Sequence, residues 1–290
     1  MSSKRFVFVG DRFPVLNRLI ELGADVAAIF CSKNVFHAVP VADASIPSFA
    51  IEDKASLLTA LDKLSFDVLV SNGCPYILPV SKLKKPHQAF INIHASLLPD
   101  FPGPHPINGA MLAGADGGAT CHHMVDDVDS GEIISQVCVP NTPELDLGLF
   151  HMMTNWAEVD AFELAFQRDF AVDPALPNNT NMDSYFKATD DRRVMHLSGS
   201  AEDIKCQIKA FGIFSQGTTF THKGKSFTVF DAEVSTNPYL LTKLDGYQEN
   251  QVAFIYDATV VIRKGDAFLQ LKSINTDDGT IDVGDILSET

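Results

Sequence analysis

The apolar positions of the first 170 residues alternate between two spacings. Residues 6–10 form a short apolar run that ends in glycine, and residues 15–23 then carry apolar side chains at helical spacing. This pair predicts a strand followed by a helix. The same alternation predicts further strands at 24–31, 66–71, 89–94, 119–125 and 133–139, and further helices at 54–64, 106–113 and 147–170. Strands that alternate with helices favour the α/β class, with a Rossmann-like, mostly parallel, doubly wound sheet.

The pattern changes after residue 170. Residues 173–181 are rich in Pro and Asn, a composition typical of a linker. One helix is predicted at 201–211, and β-branched and aromatic runs follow at 218–221, 226–234, 251–256, 259–263 and 267–274. Five short strands of this kind predict a small β-rich, OB-like domain, either a barrel or an open sheet. We therefore expect an α/β domain at 1–182, a linker at 183–200 and a β-rich domain at 201–290.

Composition narrows the class of protein. The 290 residues are 46% hydrophobic and carry a net charge of −15, from 37 acidic and 22 basic residues. This excess of negative charge argues against a protein that binds a nucleic-acid backbone. Five scattered cysteines without a C-x-x-C pair favour free thiols. Because the first five residues lead into only a short apolar run and no apolar stretch of about 18 residues occurs, we expect a cytoplasmic protein without a membrane partner.

Polar residues collect where the predicted 89–94 strand ends. Asn92 and His94 are two positions apart, so in a strand they project from the same face. Asp129 lies in an acidic turn, and His122 lies on the strand before it. Reactive groups in open α/β sheets lie at such strand ends. The two histidines and the carboxylate also allow a zinc site, but no H-x-x-x-H or H-E-x-x-H spacing supports it, and we expect no metal.

The order of the motifs resembles a known family. The block N-I-H-A-S-L-L-P at 92–99, Pro106-Ile107, Gly118-x-Thr120 and D-V-D-S-G at 127–131 resemble the folate-dependent formyltransferases. The resemblance implies a Rossmann-like catalytic domain with a variable C-terminal part. It also implies transfer of a formyl group from 10-formyltetrahydrofolate to an amine. Asp191, Arg193 and the 201–211 and 230–234 segments resemble the C-terminal part of methionyl-tRNA formyltransferases and of related amino-sugar enzymes.

The resemblance implies that Asn92, His94 and Asp129 form the catalytic set, and their chemistry suits the reaction. Attack of an amine on a formyl carbon creates an oxyanion and a cationic nitrogen, which need a hydrogen-bond donor and a proton acceptor. Asn92 can donate to the oxyanion, and His94 titrates in the useful range. Asp129 can orient the imidazole, and we expect its charge to raise the pKa of His94. Taken without the resemblance, an Asn-x-His pair at a strand end is more often a loop cap.

The folate side of the site is expected at two loops. The loop at 73–79 resembles the family loop whose backbone grips the cofactor ring, and the 125–128 segment would form the facing wall. These assignments give the candidate cofactor-binding residues Tyr76, Ile77, Leu78, Val125, Asp126, Asp127 and Val128. Packing beneath the sheet is the alternative role for the side chains at 76–78. The first strand ends in G-D-R-F-P and lacks G-x-G-x-x-G, so a dinucleotide is not expected.

The acceptor is predicted from what the sequence lacks. Relatives that formylate initiator tRNA commonly carry an Arg-Gly pair after S-L-L-P, where this chain has Phe-Pro-Gly-Pro-His at 101–105. That departure and the acidic charge favour a small nucleotide-linked amino sugar, destined for surface polysaccharide, over tRNA. Arg12, His105 and His122 are the candidate acceptor-binding residues, with Arg12 placed to meet a phosphate.

Other functions remain open at this point. Methionyl-tRNA formyltransferase is the first alternative, and a hydrolase that releases formate from the same folate is the second. The glycinamide ribonucleotide enzyme ranks lower because it usually lacks a β-rich extension. A non-catalytic binding module is hard to reconcile with three reactive residues. The resemblance also implies a homodimer.

Overall fold

The computed structural model describes residues 4–39, 46–179 and 181–288. The first three residues of the chain and Thr180 of the predicted linker run lie outside them. The chain forms two compact units. One comprises Met1–Ile107, Asp116–Pro140 and Met152–Phe186, and the other comprises Asn108–Ala115, Asn141–His151 and Lys187–Thr290.

The division between the units differs from the expected linker at 183–200. It falls after Phe186, and residues 187–200 belong to the second unit. Met195 and Leu197 explain this, because both are buried in the apolar core of that unit with Ile204. A segment that buries such side chains is part of a domain and not a free connection.

A seven-stranded sheet forms the centre of the first unit. Its strands are β1 (Arg5–Val9), β2 (Asp25–Ser32), β3 (Ser48–Ile51), β4 (Val68–Ser71), β5 (Ala89–His94), β6 (Gly117–His123) and β7 (Ile133–Val139). The strand order is β3-β2-β1-β4-β5-β6-β7. The first five strands of this order, from β3 to β5, pair in parallel. Strand β6 pairs antiparallel with both of its neighbours, β5 and β7. The direction of winding reverses between β1 and β4, and the crevice at such a reversal is where these sheets bind ligands.

Helices cover both faces of this sheet. The helices in this part of the chain are α1 (Phe13–Glu21), α2 (Lys54–Lys63), α3 (Val80–Leu83), α4 (Pro106–Ala113) and α5 (Leu147–Gln167). Leu16 of α1 and Phe162 of α5 are buried in one core cluster, and Leu57 and Leu61 of α2 are buried in the other. The predicted α/β, doubly wound architecture is therefore confirmed. Over the described ranges, no helix has both the length and the apolar character that a bilayer crossing requires.

The second unit contains a separate antiparallel sheet. Its elements are α6 (Ala201–Ala210), β8 (Thr218–His222), β9 (Lys225–Ser235), α7 (Pro238–Leu241), β10 (Val252–Tyr256), β11 (Thr259–Lys264) and β12 (Ala267–Asn275). The strand order is β10-β11-β12-β9-β8. The pairs found among the described residues leave β10 and β8 at the two edges, so the unit has the open sheet and not the barrel. Ile204 and Ile208 of α6 pack on this sheet through the buried core.

The predicted secondary structure differs from the observed one in some bounds and in three short elements: α5 ends at Gln167 and not at 170, and β6 spans Gly117–His123 and not 119–125. Strand β5, helix α4 and strand β7 begin and end at the predicted residues. Strand β3 and helices α3 and α7 were not predicted, and each has only four residues. Such short elements take their conformation from their neighbours, because four residues give no resolvable periodicity.

Candidate active site

A cavity of about 670 Å³ opens in the first unit where β1, β4 and β5 end. Its lining includes Arg12 after β1, Gly73 after β4, and Asn92 and His94 from β5. This is the crevice beside the β1–β4 reversal, where the strand order places a ligand site. Its volume lies in the range of small-molecule sites.

Asn92 and His94 reach the cavity together with His122 and Asp129. Two features of the fold bring them together. Asn92 lies opposite His122 in the antiparallel β5–β6 ladder, and the turn after β6 places Asp129 beside His122. The structure thus brings together the three residues expected to be catalytic.

His122 orients the amide of Asn92. Nδ1 of His122 lies 2.8 Å from the carbonyl oxygen of His123, and because a carbonyl can only accept, this nitrogen carries the hydrogen. Nε2 is then an acceptor, and Nδ2 of Asn92 donates to it at 3.2 Å. The amide nitrogen keeps a second hydrogen for a ligand. His122 was expected at the mouth of the site, but it is only 2% exposed and acts from behind Asn92.

His123 points away from this group, as alternation along a strand requires. Its Nε2 atom lies 3.1 Å from the carbonyl oxygen of Phe170. Of the two adjacent histidines, only His122 therefore joins the site.

The two ring nitrogens of His94 have different partners. Nε2 donates to the carbonyl oxygen of Phe101 at 2.9 Å, and Nδ1 lies 3.6 Å from Oδ2 of Asp129. A neutral His94 therefore carries its hydrogen on Nε2. A proton gained in a reaction would enter on the side of Nδ1, where the Asp129 carboxylate stabilises it.

Asp129 is held as an anion between the two imidazoles. Burial opposes its ionisation, but the charge that His94 carries when protonated and the Gly103 backbone N–H, which donates at 2.9 Å, lower the pKa of Asp129 to about 2. Its backbone is left-handed, with φ of 53°, a conformation that Asp tolerates better than most residues. This turn aims the carboxylate back at β5.

The charge of Asp129 does raise the pKa of His94, as expected, but the net shift of that pKa is downward. Burial lowers the pKa of His94 and outweighs the opposing charge of Asp129. The sequence shows the neighbouring carboxylate but not the desolvation of the ring, which is the larger effect here. A lowered pKa keeps the imidazole neutral and able to accept a proton near neutral pH.

Arg12 forms an ion pair with a buried carboxylate. Its Nη1 atom forms an ion pair with Oε1 of Glu158, a residue of α5 that is 1% exposed. Burial raises the pKa of Glu158, against the opposing influence of Arg12. The guanidinium remains partly exposed and lines the cavity. A cation fixed in this way suits an anionic ligand group.

The seven candidate cofactor residues all line the cavity. Leu78 is buried and packs with the apolar cluster under the sheet, so packing is one of its roles, whereas Ile77 is 63% exposed. Asp126 accepts a hydrogen bond from the backbone N–H of Ser81 at 3.0 Å. Its contacts with Ser81 lower the pKa of Asp126. This carboxylate ties the turn after β6 to α3.

His105 is not among the residues that line the cavity. Its backbone N–H donates to the carbonyl oxygen of Phe186 at 3.3 Å, which ties the 100–105 loop to the end of the first unit. Sequence reasoning missed Met182 and Tyr185, which do line the cavity, and Glu158. No local motif marks these three residues, because each depends on a contact distant in sequence.

The described residues, which omit 1–3, 40–45, 180 and 289–290, contain no group of three His, Cys, Asp or Glu side chains arranged to hold a metal ion.

Comparison with known proteins gives a family match and curated relatives for about half of the chain. The family model described as formyl transferase matches residues 17–163, just over half of the chain. The methionyl-tRNA formyltransferase of Enterococcus faecalis is 32% identical over 161 residues, which cover 50% of this chain and 51% of that protein. The chain thus spans about half the length of the curated relatives it matches.

Solved structures match nearly the whole chain. WlaRD, a sugar 3N-formyl transferase crystallised in the presence of dTDP and 5-N-formyl-THF, has a TM-score of 0.70 and 16% identity over 97% of this chain and 100% of that chain. HypX from Aquifex aeolicus has a TM-score of 0.64 and 15% identity over 96% of this chain and 45% of that chain. At these identities the similarity shows a shared fold.

Proposed function

We propose, because this chain belongs to the formyl transferase family, that it transfers a formyl group from 10-formyltetrahydrofolate to the amine of a nucleotide-linked amino sugar. The product is an N-formylated sugar for surface polysaccharide. One observation carries the proposal: Asn92, His94 and Asp129 meet at a cavity large enough for small-molecule substrates.

The donor binds along the wall that carries the exposed apolar residues. Ile77 and Val128 present apolar surface to the cavity, and we expect the backbone beside them to form hydrogen bonds with the ring of the donor. This combination of apolar area with a few fixed polar groups is what small-molecule sites use. The seven candidate cofactor residues contribute to this wall.

The reaction needs three groups in fixed places. The acceptor amine attacks the formyl carbon, and the second N–H of Asn92 stabilises the oxyanion that forms. The attacking nitrogen loses a proton to Nδ1 of His94, and the Asp129 carboxylate stabilises the charge of the protonated ring. The bond between the formyl carbon and the donor nitrogen then breaks, and that nitrogen takes the proton from His94 as it leaves, which returns the ring to its neutral form.

Arg12 binds the phosphate of the acceptor. It stands at the end of β1, at the edge of the cavity, and Glu158 fixes its guanidinium. Fixing an arginine before the ligand arrives lowers the entropy lost on binding. WlaRD, which shares the fold, was crystallised with dTDP, and this supports a nucleotide-linked acceptor.

Initiator tRNA is the competing acceptor, since the curated relatives are methionyl-tRNA formyltransferases. The net charge of −15 argues against it, because binding a nucleic-acid backbone needs a strongly basic surface. The homodimer and the cytoplasmic location stay predictions.

The test combines binding with turnover. Ligands that bind the folded state raise its unfolding temperature, so dTDP-, UDP- and GDP-linked amino sugars are compared with initiator tRNA. Each is then incubated with 10-formyltetrahydrofolate, and the acceptor is examined for the mass of one added formyl group. We expect formylation of one nucleotide sugar. Formylation of tRNA alone, or full-rate release of formate without any amine, would overturn the proposal.

A further inference from the structure

The carbonyl that holds His94 belongs to a residue in an unfavourable backbone conformation. Phe101 has φ of 53°, in the left-handed region that bulky residues rarely adopt. Such a conformation persists only where surrounding contacts hold it. The orientation of the His94 ring therefore depends on whatever fixes Phe101.

A serine distant in sequence fixes Phe101. The backbone N–H of Phe101 donates to Oγ of Ser184 at 2.9 Å, and the Ser184 hydroxyl donates to the carbonyl oxygen of Asn181 at 2.7 Å. The serine thus has its hydroxyl hydrogen directed away from Phe101 and its lone pair directed toward it.

The segment around Ser184, residues 181–186, which we name the clamp segment, is tied to the 99–105 loop at further points. The N–H of Asn181 donates to the carbonyl oxygen of Pro99 at 3.0 Å, and its side-chain amide donates to Asp100 at 2.7 Å. At the other end, Phe186 accepts from the N–H of His105. The loop and the clamp segment form one hydrogen-bonded structure.

The clamp segment also contacts the residue whose backbone N–H binds Asp129. Gly103, whose N–H donates to the Asp129 carboxylate, lies against the Tyr185 ring, and a Cβ at residue 103 would come within 2.3 Å of that ring. Met182 and Tyr185, on either side of Ser184, line the cavity. A ligand that fills the cavity therefore contacts the segment that holds the base.

We propose that Ser184 is a positioning residue for the reaction, which orients His94 by fixing the carbonyl of Phe101. The inference rests on the proposed function for its kinetic readout. It assigns no contact between Ser184 and the reacting atoms, and its effect reaches them through the Phe101–His94 hydrogen bond.

The kinetic test compares Ser184→Ala with Ser184→Thr, which keeps the hydroxyl. Ser48→Ala is the matched control, because Ser48 is also half-buried and its hydroxyl also donates to one backbone carbonyl, that of Ile46. Loss of one hydrogen bond predicts about a fivefold fall in kcat for Ser184→Ala, equivalent to about 1 kcal/mol. We expect KM values within twofold of the wild type, recovery in Ser184→Thr and no change in Ser48→Ala.

A titration separates positioning from a merely structural role. Three charged or titratable groups face His94: Asp129 from the turn after β6, His122 from β6 and Arg12 from the end of β1. The substitution Ser184→Ala replaces none of these three residues. The Phe101 carbonyl favours the protonated ring, so a loosened Phe101 shifts the NMR titration of His94 and the acid limb of kcat to lower pH.

The NMR titration uses the ligand-free protein, so its result does not depend on the acceptor. An unchanged His94 titration in Ser184→Ala would overturn the proposal, as would a rise in KM at constant kcat. A shifted titration together with no formylation of any nucleotide sugar would leave the role of Ser184 in place and refute the proposed function.

Discussion

Nδ1 of His94 lies 3.6 Å from Oδ2 of Asp129, while Nε2 of the same ring donates to the carbonyl of Phe101. The ring therefore offers one nitrogen to a proton and uses the other to keep its orientation. This arrangement suits a base that is neutral before the reaction and cationic during it.

Replacement of His94 by Ala is expected to lower kcat by about 10²- to 10⁴-fold, the range for loss of a positioned acid–base group. The protein should still fold, because His94 lines a cavity and does not lie in the apolar core. Steady-state kinetics and thermal unfolding check this. His87→Ala, at an exposed position, is the control and should match the wild type. Near-normal turnover of His94→Ala would refute its role as the base.

The acid limb of the activity profile should lie below pH 6.5, the ordinary pKa of histidine, because burial lowers the pKa of His94. Activity requires the neutral ring, so it rises as pH increases through that lowered value. Asp129→Asn removes a charge that favours the protonated ring, and we expect the limb to move to still lower pH. The surface variant Asp62→Asn should leave the profile unchanged. A move to higher pH in Asp129→Asn would contradict this electrostatic assignment.

Stability should follow the same two groups. The pKa of His94 is lower in the folded state than in the unfolded state, where it is 6.5. The contribution of neutral His94 to the free energy of unfolding is therefore complete above pH 6.5 and is lost as pH falls through the lower folded pKa. The contribution of Asp129 is complete above 3.8 and is lost as pH falls towards about 2. Urea unfolding at several pH values should show a loss of stability below pH 6.5 that is smaller in His94→Ala. An equal loss in both proteins would contradict the coupling to His94.

Arg12→Ala is expected to raise the acceptor KM by roughly tenfold or more, with little change in kcat, because the proposed role of Arg12 is to bind the acceptor phosphate and not the reacting atoms. It should also destabilise the protein by about 3 kcal/mol, since removal of one partner leaves the buried Glu158 without its cation.

The double variant Arg12→Ala/Glu158→Gln separates these two effects. It should recover much of the stability, measured by urea unfolding, but not the acceptor KM. A double variant that recovers the KM would show that Arg12 acts only as a structural ion pair.

Gly131→Ala is expected to destabilise the protein by about 1–3 kcal/mol, the usual range for overpacking. A Cβ at residue 131 would lie 1.7 Å from the carbonyl oxygen of His123, which accepts from Nδ1 of His122. The displacement would also disturb the Asn92 amide, so kcat should fall. Gly246→Ala is the matched control, because a Cβ there meets no atom within 4 Å. Equal urea-unfolding curves for the two variants would show that the site tolerates the displacement.

The candidate catalytic group was predictable because Asn92 and His94 lie on one strand and Asp129 lies in a short motif that follows in order. The spacing of Asn92 and His94 places them on one face of a strand, and the motif order places Asp129 nearby. Helix α4 and strand β7 were predicted at their observed bounds for a similar reason, since apolar spacing along one element is local information.

Features that depend on distant contacts were not predictable. Arg12 and Glu158 are 146 positions apart, and nothing near either residue indicates the other. The role of Phe101 is carried by its backbone carbonyl, which any residue type has. The direction of the His94 pKa shift depends on burial, which is a property of the folded chain.

The most direct test measures the release of tetrahydrofolate from 10-formyltetrahydrofolate by the wild type and by Asn92→Ala, with and without a nucleotide-linked amino sugar. Asn17→Ala, at an exposed position of α1, is the control. We expect release by the wild type and the control to require the acceptor and to match the formylated sugar formed. Loss of the oxyanion donor should slow Asn92→Ala by about 10²- to 10³-fold. Near-normal release by Asn92→Ala, or wild-type release at the same rate without an acceptor, would contradict the account.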